Sequence, residues 1–181
     1  MRILTYTVTP EEDGVCVRHI LKAKFHFSTH AVARLTRAEN GIRVNGVHAR
    51  TVDPVHTGDV VAVRSDDLRP PKLLPTPGNW PLPIVYEDEH LLILNKPAGM
   101  AVHGGYDRGE PTVANALAAL WGRDAAFHPV SRLDRGTSGL MVIAKSAYVH
   151  DLLRRMLHTD AFRREYLALA RGAFPDDSGT C

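Results

Sequence analysis

With 181 residues, 44% of them hydrophobic and 23% charged, the chain has the composition of an ordinary soluble globular protein and can bury a core in one or two domains. Its formal net charge of +2 conceals a division, because Gly14 to Arg64 holds eight Lys or Arg against three Asp or Glu, net +5, whereas Ile84 to Cys181 holds eleven against twelve, net −1. Two cysteines at opposite ends, Cys16 and Cys181, do not make a secreted disulfide framework, Met1 to Gly14 with Glu11, Glu12, Asp13 and no apolar core is not expected to be a signal peptide, and no apolar run reaches the length of a membrane span.

The expected location is therefore the reducing cytoplasm, and the basic N-terminal third points to an anionic polymer as partner, nucleic acid ahead of membrane. In that third, Val17, Ile20 and Leu21 form the stripe of a short amphipathic helix with Arg18 and Lys22 on another face. Ser28 can cap a second helix that turns Val32 and Leu35 inward and Arg34 and Arg37 outward, with Asn40-Gly41 as its stop. Ile42-Arg43-Val44 and Val47-His48-Ala49 flank Asn45-Gly46, a dipeptide suited to a tight hairpin, and Gly58-Asp59 leads into a strand from Val60 to Val63.

This order of two basic helices, a Val-Asn-Gly hairpin and a Gly-Asp-Val-Val strand resembles the small RNA-binding module of ribosomal small-subunit protein four, over about fifty residues. The resemblance implies that residues 1–65, with a core at 14–65, bind structured RNA through Arg18, Lys22, Arg34 and Arg37. Six prolines in residues 66–83 predict an extended linker that holds this module away from a second domain, expected over 84–181.

In that domain Ile84-Val85-Tyr86 and Leu91 to Leu94 predict strands, and Lys96-Pro97-Ala98-Gly99 a turn. Thr112 caps a helix bearing Val113, Ala116, Leu117 and Leu120, which Gly122 ends. His103-Gly104-Gly105 reads as a loop, and Leu140 to Ala144 as an apolar strand. From Ser146 a further helix carries Val149, Leu152, Leu153, Met156 and Leu157. A last strand is expected from Phe162 to Gly172, with Phe162, Arg164, Tyr166 and Ala168 on one face, followed by a turn over Phe174 to Thr180. Strands and helices without a βαβ rhythm predict an α+β fold.

The stretch His128-Pro-Val-Ser-Arg-Leu-Asp-Arg-Gly-Thr-Ser-Gly-Leu140 sets one carboxylate, Asp134, between Arg132 and Arg135. Two guanidinium groups favour the ionised acid and also suit phosphate, but by itself the run reads first as a surface turn with local ion pairs. His26 and His30 have the spacing of helical metal ligands but no carboxylate-rich surroundings, so no metal is expected.

Four stretches in one order, Glu87 to Leu92, Asn95 to Gly99, His128 to Leu140 and Arg164 to Leu169, resemble the RluA-type pseudouridine synthases. What the resemblance implies is an isomerase of a mainly antiparallel α+β fold that converts a uridine of ribosomal or transfer RNA to pseudouridine, without cofactor and as a monomer. Asp134 would act at the ribose, either attacking the anomeric carbon or abstracting a neighbouring proton. Arg132 would fill the space left by a flipped base and touch phosphate, with Arg135 beside it on the RNA, while Tyr166 would lie against the uracil and His128 would pack or orient the loop. Members continue past this point into a segment of the Arg-Thr-His-Gln-Ile-Arg type, which has no counterpart here. If these 181 residues are part of a longer chain, they are expected to be inactive and only partly stable alone, and the alternative to the isomerase is a catalytically incomplete fragment that acts only as an RNA-binding module.

Overall fold

The computed structural model describes residues 2–66, 81–104, 111–122, 126–172 and 178. Among them lie two four-stranded antiparallel sheets and four α-helices, a mixed α+β architecture.

The N-terminal sheet has the order β1 (Ile3–Thr7), β4 (Val60–Arg64), β2 (Ile42–Val44), β3 (Val47–His48). It packs against α1 (Val17–Ala23) and α2 (Thr29–Thr36) through Val17, Ile20, Leu21, Val32, Leu35, Ile42, Val61 and Val63, all buried. Ser28 caps α2 by accepting from the Ala31 amide at 3.2 Å, as its position predicts. Asn45 and Gly46 take φ values of 52° and 81° at the hairpin tip. The Asn45 amide side chain also fastens the hairpin to β4, accepting from Val60 N at 2.9 Å and donating to Asp59 at 2.8 Å.

Two details differ from the sequence reading. The first strand, β1, pairs along β4 from Ile3↔Arg64 to Thr7↔Val60 and extends the sheet beyond the expected core. And α2 ends at Thr36, ahead of Asn40-Gly41. Gly41 is instead required by close approach, since a Cβ there would lie 2.2 Å from the Leu35 carbonyl oxygen.

Beside β1, Glu12 is buried, with three donors on Oε2 and the Lys24 ammonium beside Oε1. Lys24 Nζ lies 2.7 Å away, and Tyr6 OH, Thr9 N and Thr9 Oγ1 donate at 2.7, 3.1 and 3.0 Å. The Lys24 ammonium first, then the Tyr6 and Thr9 donors, hold the carboxyl at about 2 against desolvation that opposes them. Because the folded value is depressed, this contribution to stability is complete above the ordinary value of 4.5 and is lost as pH falls toward about 2. Glu12→Gln is expected to lower the melting temperature at neutral pH, with the gap from wild type narrowing over that acid interval in thermal melts.

The second sheet has the order β5 (Ile84–Glu87), β6 (Leu91–Lys96), β8 (Gly139–Ala144), β7 (His128–Pro129). By the period of two, β6 turns Leu92, Leu94 and Lys96 to the same buried face, where α3 (Val113–Trp121) covers the two leucines with Val113, Ala114 and Leu117. In register, Leu92 faces Ile143, Leu94 faces Met141 and Lys96 faces Gly139. The loop 130–138, which carries Asp134, therefore springs from the end of β8 beside Lys96.

The helix expected from Ser146 is α4 (Ala147–Met156), capped by Ser146, but none of its residues is fully buried. Its apolar stripe is only half covered.

The strand expected over 162–172 is not formed: residues 163–170 pair with no described strand, and Leu167 and Leu169 are fully exposed. Alternating residues specify a face only when a neighbouring strand supplies the ladder. The proline-rich stretch expected as a spacer lies mostly in 67–80, outside the described residues, as does nearly all of the turn expected over 174–180. The separation expected of the two parts is not found, since the Tyr148 ring of α4 packs 4.8 Å from the ring of Phe27. Among the described residues, no helix is long and apolar enough to cross a membrane.

Candidate active site

Asp134 lies at a tight turn, its carbonyl accepting from Thr137 N at 3.1 Å. Underneath, the chain is tied to the turn after β6. Gly99 N donates to the Arg135 carbonyl at 2.8 Å, and Arg135 Nε returns a bond to the Gly99 carbonyl at 2.9 Å. Gly99 has φ 87°, a left-handed conformation that costs glycine little.

Lys96 completes this base. Its side chain is fully buried at 0% exposure, and its Nζ donates to the carbonyls of Met100, Pro97 and Arg135 at 2.7, 2.9 and 3.2 Å. Burial pushes the ammonium below its ordinary value of 10.5, and the Asp134 carboxylate partly offsets that push. The loop beneath the acid is thus pinned by three backbone carbonyls gathered on one cation.

Above it opens a cleft of about 590 Å³, lined by Asp134 and the side chains of Arg132, Arg135, Arg154, Arg164 and His103, among others. Among the lining residues Asp134 is the sole carboxylate. Neither it nor Arg132, Arg154 and Arg164 has a hydrogen-bonded or ion-paired side-chain partner among the described residues. Four arginines against one acid make the cleft a receptor for several negative charges, with three guanidinium groups free to bind them. Arg135 is the exception, because its Nε already serves the Gly99 turn.

The cleft gathers Asp134, Arg132 and Arg135, as their two- and one-residue spacing anticipates. It does not gather Tyr166, which stands 65% exposed and outside the lining, two residues beyond Arg164. His128 sits on β7, its ring 5.6 Å from that of His150 on α4. Burial first, and then the neighbouring His128, push the His150 imidazole down.

Sequence reasoning missed Arg154, Lys96 and the cleft-lining role of Arg164 and His103. Lys96 was detectable, since it continues the inward phase of Leu92 and Leu94. Arg154 had no such signal, because only tertiary packing carries α4 over the Asp134 loop.

The N-terminal candidates divide. Arg18, Lys22 and Arg37 line a groove of about 390 Å³ with Thr29, Val32 and Thr51. Arg34 faces a crevice against α4, with Phe27, Asp66 and Tyr148. No group of three or more His, Cys, Asp or Glu side chains able to hold a metal occurs among the described residues, His26 and His30 included.

The fold is α+β, and its cleft sets one exposed acid among four arginines. Residues 90–181 match the family model described as RNA pseudouridylate synthase, and the chain belongs to that family. It is 36% identical over 156 residues to ribosomal large subunit pseudouridine synthase D of Xylella fastidiosa, covering 81% of this chain and 45% of that protein. It is 31% identical over 182 residues to the uncharacterized RNA pseudouridine synthase YhcT of Bacillus subtilis, covering 99% and 59%. Ribosomal large subunit pseudouridine synthase C of Haemophilus influenzae is 32% identical over 172 residues, with 92% and 53% covered. The chain thus spans about half the length of the curated relatives it matches. A solved structure, Human RNA Pseudouridylate Synthase Domain Containing 4, aligns at 29% identity over 41% of this chain and 29% of its own, with a TM-score of 0.34.

Proposed function

We propose that the protein isomerises a uridine of structured RNA to pseudouridine at the Asp134 cleft, and that the substrate is ribosomal RNA, as the names of two matched relatives indicate for those proteins. The observation that carries this reading is the lone acid without an ion-pair partner, set among free guanidinium groups inside the family-matched span.

In the reaction the N1–C1′ bond breaks, the uracil turns, and a C5–C1′ bond forms; C5 loses a proton and N1 gains one, so no atom is gained overall. The uridine must first leave its stack, at a cost of roughly a few kcal/mol. Arg132, two residues from Asp134, takes the vacated place and contacts phosphate, while Arg154 and Arg164 hold the flanking backbone. Asp134 then acts on the ribose. One acid suffices because no water is activated; a hydrolase places a second carboxylate for that purpose. Tyr166 is assigned to the uracil face, which requires the segment after α4 to fold over the cleft when RNA binds.

Arg18, Lys22 and Arg37 are assigned to the RNA backbone, on the likeness of this part of the chain to the ribosomal protein module. Arg18→Ala with Arg37→Ala is expected to weaken RNA binding by about tenfold and to reduce the slope of log affinity against log salt by about one for each phosphate no longer neutralised. Arg34→Ala is expected to do less, since Arg34 faces α4. Filter binding across a salt series reads both.

A second reading, RNA binding without catalysis, is favoured by the position of Tyr166 outside the cleft. Incubating the purified chain with ribosomal RNA and mapping pseudouridine decides between them. New pseudouridine supports the isomerase, and binding with no product supports the second reading.

A further inference from the structure

Helix α4 touches both halves of the described chain, and it does so with opposite faces. Tyr148 and Arg155 lie seven residues apart, hence on one side of the helix. Tyr148 packs on Phe27, which is 5% exposed in the N-terminal core, and Tyr6, Phe25, Phe27 and Tyr148 form a continuous run of ring contacts at 6.3, 6.3 and 4.8 Å. Arg155 donates to the carbonyl of His26, whose φ of 57° marks the left-handed corner between α1 and α2. His150, Arg154 and Leu157 lie about 180° to 240° around the helix axis from Tyr148. His150 packs on His128, where the Asp134 segment begins, and Arg154 and Leu157 line the cleft. Elsewhere between the two halves, Arg2 approaches Glu89 and His90 at 3.8 and 3.4 Å.

We propose that α4 is a rigid spacer that holds the α1–α2 groove at a set distance from Asp134, with Tyr148 and Arg155 as positioning residues, so that RNA is selected by the span between a gripped stem and the uridine presented to the cleft. This rests on the isomerase and RNA-binding reading above. The physical reason is effective concentration: two sites held in a fixed geometry bind one ligand of matching span far better than two sites on a loose tether, and discriminate against other spans. Neither Tyr148 nor Arg155 lines the cleft or the basic groove, so their effect on RNA passes through docking alone.

The test uses the 181-residue chain and its Tyr148→Ala, Arg155→Ala and Tyr148→Phe variants. Arg155→Ala removes only an exposed side chain, so it loosens docking even if Tyr148→Ala proves unstable. Nitrogen-15 relaxation is expected to show one tumbling body for wild type and Tyr148→Phe, and two for the alanine variants. Affinity for a hairpin RNA long enough to cross both surfaces should fall roughly tenfold in the alanine variants. Affinity for a hairpin too short to leave the α1–α2 groove should stay unchanged. Independent tumbling of the two parts in wild type would overturn the proposal, as would alanine variants that bind the long hairpin like wild type. If wild type binds neither hairpin, the RNA reading itself fails and the selection role falls with it, whereas single-body tumbling together with short-hairpin binding isolates any failure to the spacer.

Discussion

In the longest natural form of the chain, Asp134→Asn is expected to reduce pseudouridine formation by at least a hundredfold, within the roughly 10²–10⁴ range contributed by a positioned acid or base, while RNA affinity holds or rises. The substitution is nearly isosteric. Asp134 is exposed and makes no side-chain hydrogen bond among the described residues, so its charge is what disappears. The cleft keeps Arg132, Arg135, Arg154 and Arg164 and loses its sole lining carboxylate, which makes it more favourable to phosphate. A fall in kcat without weaker binding is therefore the signature of an acid that acts on the reacting atoms.

The same variant carries an internal control. The Asp134 carboxylate partly offsets the burial of the Lys96 ammonium, so removing it should cost a little stability without unfolding the chain. A melt taken beside the activity assay separates the two effects. Full activity in Asp134→Asn would remove Asp134 from the chemistry and leave the arginine-lined cleft as a binding site only.

How much of this was legible in the sequence depends on the range of the interaction concerned. The stripe Val17, Ile20, Leu21, the Ser28 cap and the Asn45-Gly46 turn are local devices, and each occurs where its pattern places it. Strand β1 left no such trace: its exposed and half-exposed residues alternate with none buried, and only pairing with β4 makes it a strand. Residues 162–172 show the converse. Their alternation is regular, but no described neighbour completes the ladder, so the pattern predicts a strand that does not form.

The site follows the same rule. Asp134, Arg132 and Arg135 fall together because they are adjacent in sequence. Arg154 joins them because α4 crosses the loop, and Arg164 because the segment after α4 returns to the cleft, tertiary facts that local spacing does not encode. The proline-rich stretch invited a picture of two parts held apart, whereas the Phe27 and Tyr148 rings meet. Composition describes how stiff a segment is, and complementary surfaces decide what touches.

Lys96→Met is expected to cost about 3 kcal/mol of stability and, in the protein that remains folded, to lower kcat more than it raises KM. Methionine fits the volume and removes the need to desolvate an ammonium, which offsets part of the loss. It supplies no donor, however, to the carbonyls of Met100, Pro97 and Arg135 that now converge on Nζ. The Arg135 carbonyl keeps the Gly99 amide, but the Met100 carbonyl loses a buried donor at about 1–3 kcal/mol before relaxation and the half-buried Pro97 carbonyl loses one as well, so the net penalty is positive. Loss of the Nζ bond leaves the residue next to Asp134 held through the Gly99 turn alone, and a displacement there of about 1 Å is enough to slow a reaction that depends on attack geometry.

Alkaline titration gives the sign that identifies the cause. Burial depresses the folded value of Lys96 below 10.5, so the unfolded chain holds this proton more tightly. Stability attributable to Lys96 therefore rises as pH increases from the depressed value toward 10.5, and wild type should gain on Lys96→Met over that interval in denaturant titrations. In an Asp134→Asn background the carboxylate no longer sustains the ammonium, and the interval should widen toward lower pH. A stability difference between wild type and Lys96→Met that is flat with pH would mean that Lys96 holds the loop by packing alone, without its charge being coupled to Asp134.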